Sequence, residues 1–121
     1  MHASPNHPKS RGEITLNSAD PYDYPKILFN YLKEEEDLKQ TRECIHVARK
    51  ILSQPALAEH AGDEVGPGFN AQSDDELDEY IRSKADTAYH PCGTCKMGVD
   101  DMAVVDQDLK VNGIGNLRVI D

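Results

Sequence analysis

The sequence predicts an α+β fold, and three observations carry that expectation. Polar and apolar residues alternate over Gly12-Glu13-Ile14-Thr15-Leu16-Asn17, the period of a half-buried strand. Two longer stretches repeat apolar residues at three- and four-residue steps, the period of helices. After the second stretch, short apolar runs return at Ala103-Val104-Val105, Leu109-Lys110-Val111 and Leu117-Arg118-Val119-Ile120, separated by turn-forming residues. A length of 121 residues fits one domain.

Residues 1–12 read as an extended lead-in, because Ser4-Pro5 and His7-Pro8 disfavour helix at the residue before each proline. Ser18-Ala19-Asp20-Pro21 marks a turn after the first strand, and Pro25 keeps the following stretch extended. Ile27, Leu28 and Phe29 are expected to pack against that strand. Over residues 34–53, Leu38, Thr41, Ile45, Ala48 and Leu52 form one stripe. Glu34, Glu35, Glu36 and Asp37 crowd the start of this helix and Arg49 and Lys50 its end, as the helix dipole favours. The acidic cluster is read as a solvated helix start. Pro55 stops the helix, and three glycines with Pro67 make residues 62–68 a loop. Ser73-Asp74-Asp75-Glu76 is a capping box. Leu77, Tyr80, Ile81, Lys84, Ala85 and Ala88 continue at helical spacing, so the second helix is expected to run into Tyr89-His90-Pro91 and to hold His90 at its end. The final strand, residues 117–120, stops at Asp121 with no turn or cap, and truncation at the C-terminus is the expectation.

Composition narrows the function classes. Thirteen basic against 22 acidic side chains give a formal net charge of −9. Such a surface repels phosphate backbones and anionic lipid heads, so nucleic acid and peripheral membrane binding are not expected. It weakly favours a cationic substrate. No apolar run approaches the roughly 20 residues of a membrane helix, and residues 1–12 lack the apolar stretch of a secretory signal. Mean hydropathy is −0.65, which suits a thin layer or a piece of something larger. Three cysteines are too few for a disulfide scaffold, and reduced thiols in an intracellular compartment are expected.

Reactive residue types concentrate in Tyr89-His90-Pro91-Cys92-Gly93-Thr94-Cys95-Lys96-Met97-Gly98. Three readings compete for this cluster. A zinc site would use His90, Cys92 and Cys95, but structural zinc takes four ligands, and the other candidates, Cys44 and His46, lie on different faces of a helix. Thiol–disulfide exchange at Cys92-Gly93-Thr94-Cys95 would suit a pair opening a helix after a strand, whereas this pair follows a helix. General-base chemistry would use His90, since imidazole moves protons near neutral pH, with Gly93 and Gly98 allowing close approach of a ligand. The residues alone leave these alternatives open.

The ordered series His90-Pro91-Cys92-Gly93-Thr94-Cys95-Lys96-Met97-Gly98, Val104-Val105-Asp106 and Leu117-Arg118-Val119-Ile120-Asp121 resembles the C-terminal signature of the glucose–methanol–choline (GMC) oxidoreductases. Ser10-Arg11-Gly12, Ser18-Ala19-Asp20-Pro21, Asn30-Tyr31 and Asp86-Thr87-Ala88-Tyr89-His90-Pro91 resemble its choline-oxidising branch in order and spacing. The likeness runs from about Ser10 to Asp121.

The resemblance implies an antiparallel sheet with packed helices, the substrate-side domain of an FAD oxidoreductase, over residues 13–121. It implies oxidation of choline to betaine aldehyde, with His90 taking the hydroxyl proton while hydride passes to flavin. It sets Asp121, Tyr89 and Pro91 beside the cofactor, assigns no metal, and makes Cys92 and Cys95 buried small residues. No Gly-x-Gly-x-x-Gly occurs, so FAD would be held mainly by a missing domain of the same polypeptide. The family's second active-site position, a histidine or asparagine, lies beyond Asp121, as the ammonium cage lies upstream of this sequence. On this reading Met1 is an internal methionine or an artificial start and not the true initiator, the fragment alone is inactive, and the full-length enzyme is cytoplasmic or associated with an inner membrane. The other readings are a different GMC primary alcohol dehydrogenase, or a free-standing acidic binding or thiol-redox module.

Overall fold

The computed structural model describes residues 2–120. Its elements run β1 (Glu13–Thr15), β2 (Lys26–Leu28), α1 (Glu35–Leu52), a single 3-10 turn (Pro55–Leu57) and α2 (Asp74–Lys84). The two strands pair antiparallel, and the fold is α+β as expected. Contacts group the chain into two compact units, Met1–Gly12 with Leu28–Thr87, and Glu13–Ile27 with Ala88–Asp121.

The first unit is built on the two helices. Leu38 of α1 and Leu77 and Ile81 of α2 are buried, and Ala71 joins them just ahead of α2. Electrostatic contacts flank this apolar seam. One Arg42 nitrogen donates to both carboxylate oxygens of Asp78, at 2.6 and 2.7 Å. A second stands 3.4 Å from Asp74. The Asp78 bond raises the already high pKa of Arg42, so this cation stays charged. Arg49 reaches from α1 to the 62–71 loop, donating to Glu64 at 3.0 Å and to the carbonyls of Gly68 and Ala71 at 3.1 and 2.9 Å.

The capping box of α2 is present in full: Ser73 accepts from the Glu76 amide, and Glu76 accepts from the Ser73 amide. The amides of Ser73 and Gln72 and the Ser73 hydroxyl hold the Glu76 carboxyl below its ordinary pKa. The predicted stripe of α1 is buried at Leu38 and half-buried at Thr41, Ile45 and Ala48, but Leu52 is exposed.

The solvated helix start is corrected at one position. Asp37 is 2% exposed. Its two oxygens accept from the backbone amides of Lys9 and Ser10, each at 2.7 Å. Burial pushes this carboxyl up. The Ser10 hydroxyl, the Lys9 and Ser10 amides and the Arg11 charge outweigh burial, and the net pKa is lowered. The lead-in is thus tied to α1 28 residues away. Ser10 Oγ also accepts from the Glu34 amide at 3.1 Å. Two residues on, Gly12 runs so close to the carbonyls of Leu28 and Phe29 that a Cβ there would collide with backbone.

The second unit contains most of the hairpin. Its connecting loop is ordered by polar side chains: Tyr22 N donates to Asp20 at 3.0 Å, and Asn17 donates to Asp23 at 2.8 Å. The expected half-buried strand is instead exposed along its whole length, as is β2. Ile27 and Leu28 pair with β1 through backbone and are not covered by it.

Asp37 generates a prediction. A lowered folded-state pKa stabilises the fold above the ordinary carboxylate value of 3.8, and that contribution is lost as pH falls through the lower folded value. Hydrogen exchange should therefore show Lys9 and Ser10 amides protected at neutral pH and released on acidification below that value. Asp37→Asn should release them already at neutral pH, at a cost of about 1–3 kcal/mol.

Candidate functional site

The segment bearing His90 begins where α2 stops. Ala85 turns extended, with its amide still bonded to the Ile81 carbonyl at 2.7 Å. The predicted continuation of the helix to Tyr89 is therefore corrected by some five residues. Two causes act together. Beyond Ile81, the residues at helical spacing are Lys84, Ala85 and Ala88, all exposed, and the two alanines are too small to reward further packing. Asp86 then uses its side chain to accept from the Thr87 amide at 2.7 Å, an alternative to helical bonding. His90 is consequently held by an irregular loop and not by the helix end.

Around His90 the backbone is constrained from both sides. Tyr89 has φ +61°, a left-handed conformation uncommon for an aromatic side chain. Pro91 pushes His90 toward extended backbone. Tyr89, His90 and Pro91 are all exposed. The His90 imidazole has no hydrogen-bond or ion-pair partner among the described residues. Asp121, the fourth predicted site residue, lies outside the described residues.

The loop that follows is organised by backbone around Val105, which is 1% exposed. The Lys96 carbonyl accepts from the amides of Val104 and Val105 at 2.8 and 3.2 Å, and Gly98 N donates to the Val105 carbonyl at 3.1 Å. Isolated bridges join Met97 to Val105, Val105 to Val111, and Lys110 to Arg118. The apolar runs at 103–105 and 109–111 and the strand predicted over 117–120 are present only as these single bridges. Asp106 explains part of the shortfall, since its side chain accepts from the amides of Asp108 and Lys110 and curls the chain back on itself. Lys96 Nζ stands 2.7 Å from Asp100, and this bond, with the Met102 amide, lowers the Asp100 pKa.

Two cavities open on this unit. One of about 220 Å³ is lined by Pro91, Cys92, Cys95, Met97, Val105, Leu109 and Val119, among others. A wider one of about 460 Å³ lies along residues 110–118 and Asp106. Cys92 is exposed and Cys95 half-buried, so the expectation that both are buried is corrected for Cys92. Among the described residues no three His, Cys, Asp or Glu side chains gather in a way that could hold a metal ion. No helix among them is long and apolar enough to cross a membrane. The left-handed Tyr89 and the apolar residues that line a cavity with the cysteines have no signature in the local sequence.

The family model of the GMC oxidoreductases matches residues 8–121. The chain belongs to this family. Two oxygen-dependent choline dehydrogenases, from Cronobacter sakazakii and Klebsiella pneumoniae, are 51% and 53% identical to it over 112 residues. Those matches cover 93% of this chain and 20% of each relative, so the chain spans about a fifth of the length of the curated relatives it matches. Among solved structures, pyridoxine 4-oxidase from Mesorbium loti superposes with a TM-score of 0.83 at 36% identity, over 95% of this chain and 22% of that one. Formate oxidase from Aspergillus oryzae, described by its FAD modification, gives 0.83 at 33%, over 95% and 20%. The α+β architecture is thus that of part of a GMC oxidoreductase C-terminal domain.

Val105→Ala should loosen the loop downstream of His90 and leave the helical unit intact. Removing two buried methyl groups should cost about 1–3 kcal/mol. Faster exchange of the Gly98 and Asn112 amides, with Leu77 and Ile81 amides unchanged, is the expected readout.

Proposed function

We propose that this chain is the base-bearing portion of an FAD-dependent choline dehydrogenase that oxidises choline to betaine aldehyde. The observation that carries the reading is the exposed His90 imidazole, free of protein partners among the described residues, in a chain about half identical to choline dehydrogenases. An alcohol C–H becomes a hydride donor only as its O–H loses a proton, so a base must stand within about 3 Å of that oxygen. A histidine bonded within the protein would be poorly suited to this; an unengaged one is free to accept the proton.

The residues present fit a redox cofactor approaching from the His90 side. Gly93 leaves open space where a Cβ would stand, and Tyr89 and Pro91, the sequence neighbours of the base, are exposed. These residues, with Asp121, would hold the flavin's reactive end, while a further domain of the same polypeptide would bind most of FAD. When bound, FAD supplies the acceptor for hydride. His90 takes and holds the hydroxyl proton. Tyr89 and Pro91 fix the direction of the imidazole, and the acidic surface favours a cationic alcohol over an anionic one. The chain by itself would be inactive, and the complete enzyme would work inside the cell.

In the complete enzyme, His90→Ala should lower kcat on choline by about 10²–10⁴-fold while flavin remains bound. Activity within a few-fold of the parent would overturn the role of His90. A parent enzyme that ignores choline yet oxidises another primary alcohol would overturn the substrate and leave the base in place.

A further inference from the structure

The proton-transfer reading uses neither cysteine downstream of His90. Cys92 and Cys95 nevertheless line one cavity of about 220 Å³ and are separated by only two residues. Between the two thiols Gly93 adopts φ +105°, and open space surrounds the place where a Cβ would stand. A turn at Thr94-Cys95 follows. The segment is therefore folded back on itself, with room to close further. Exposure divides the pair: Cys92 meets solvent and Cys95 is half-buried. Metal binding does not account for them, since no third ligand stands close among the described residues. The neighbouring ammonium of Lys96 is engaged by Asp100.

We propose that Cys92 and Cys95 are a peroxide-responsive dithiol that closes to an intramolecular disulfide. Cys92, as thiolate, attacks one oxygen of hydrogen peroxide. The S–O bond forms, the O–O bond breaks, and the departing hydroxide takes up the thiol proton as water. This leaves a sulfenic acid on Cys92. Cys95 Sγ then attacks Cys92 Sγ: the S–S bond forms, the S–O bond breaks, and hydroxide leaves with the Cys95 proton as a second water. Two electrons pass from the thiols to peroxide, and a small dithiol reductant returns them. The exposed residue reacts first and the half-buried one resolves it. Closure tightens the turn that begins two residues after His90, so oxidation marks the segment bearing the base. The inference stands on the two thiols and does not depend on the reading of His90.

The test treats the full 121-residue chain with hydrogen peroxide, alkylates remaining thiols and maps the peptides by mass spectrometry. Expected is a single peptide product linking Cys92 to Cys95 and lighter by two hydrogens, with Cys44 of α1 alkylated as an internal control. Cys95→Ser should instead accumulate a sulfenic acid on Cys92 that dimedone captures, and Cys92→Ser should leave Cys95 alkylated. Linkage should form faster in the folded chain than in urea. Alkylation of both thiols after peroxide, oxidation of Cys44 ahead of Cys92, or linkage no faster than in urea would each overturn the proposal.

Discussion

Burying a carboxylate costs several kcal/mol unless donors replace the water it loses, and Asp37 lies at 2% exposure one turn into a helix. The donors that satisfy it are two consecutive amides of the lead-in, Lys9 and Ser10. A segment with two prolines and no secondary structure of its own is thereby fixed against α1, and Ser10 returns a bond to the Glu34 amide. Gly12, immediately downstream, then has to pass the carbonyls of Leu28 and Phe29 at a distance that admits no side chain. Among the described residues no buried side-chain nitrogen or oxygen is left without a partner.

The two units hold together by different means. The helical unit has a small apolar seam of Leu38, Ala71, Leu77 and Ile81, closed by Arg42 and Arg49. The unit carrying His90 has one fully buried aliphatic side chain, Val105, and relies on backbone bonds that converge on Lys96 and Val105. Carboxylates at Asp100 and Asp106 finish its turns by capping nearby amides. Such a loop can present an exposed histidine because its order comes from main-chain bonds and does not require the imidazole.

Local signals were legible where the chemistry was local. Ser73 and Glu76 announce α2 because both partners of the capping box lie within one turn. The stripe from Leu38 to Ala48 marks α1 because its period is that of the helix. Asp37 reads like Glu34, Glu35 and Glu36 because nothing near it distinguishes it, and its partners are 27 and 28 residues away. The end of α2 is not legible because Ala85 and Ala88 keep the spacing of a stripe without the bulk to pack. His90 could be singled out from its motif, whereas the left-handed Tyr89 beside it and the wall of Val105, Leu109 and Val119 depend on contacts distant in sequence.

Neither unit is a continuous stretch of chain, because residues 13–27 leave the first and cluster with the second. This interleaving imposes an order on synthesis. When residue 87 has left the ribosome, every segment of the helical unit is available and its seam can close. The hairpin emerges early and cannot be completed then, since its companions begin at Ala88. At about 5–20 residues per second, the 33 residues from 88 to 120 take on the order of 2–7 s to be made. For that interval the hairpin exists without the residues it clusters with, and its Ile14, Leu16 and Ile27 remain exposed once they arrive.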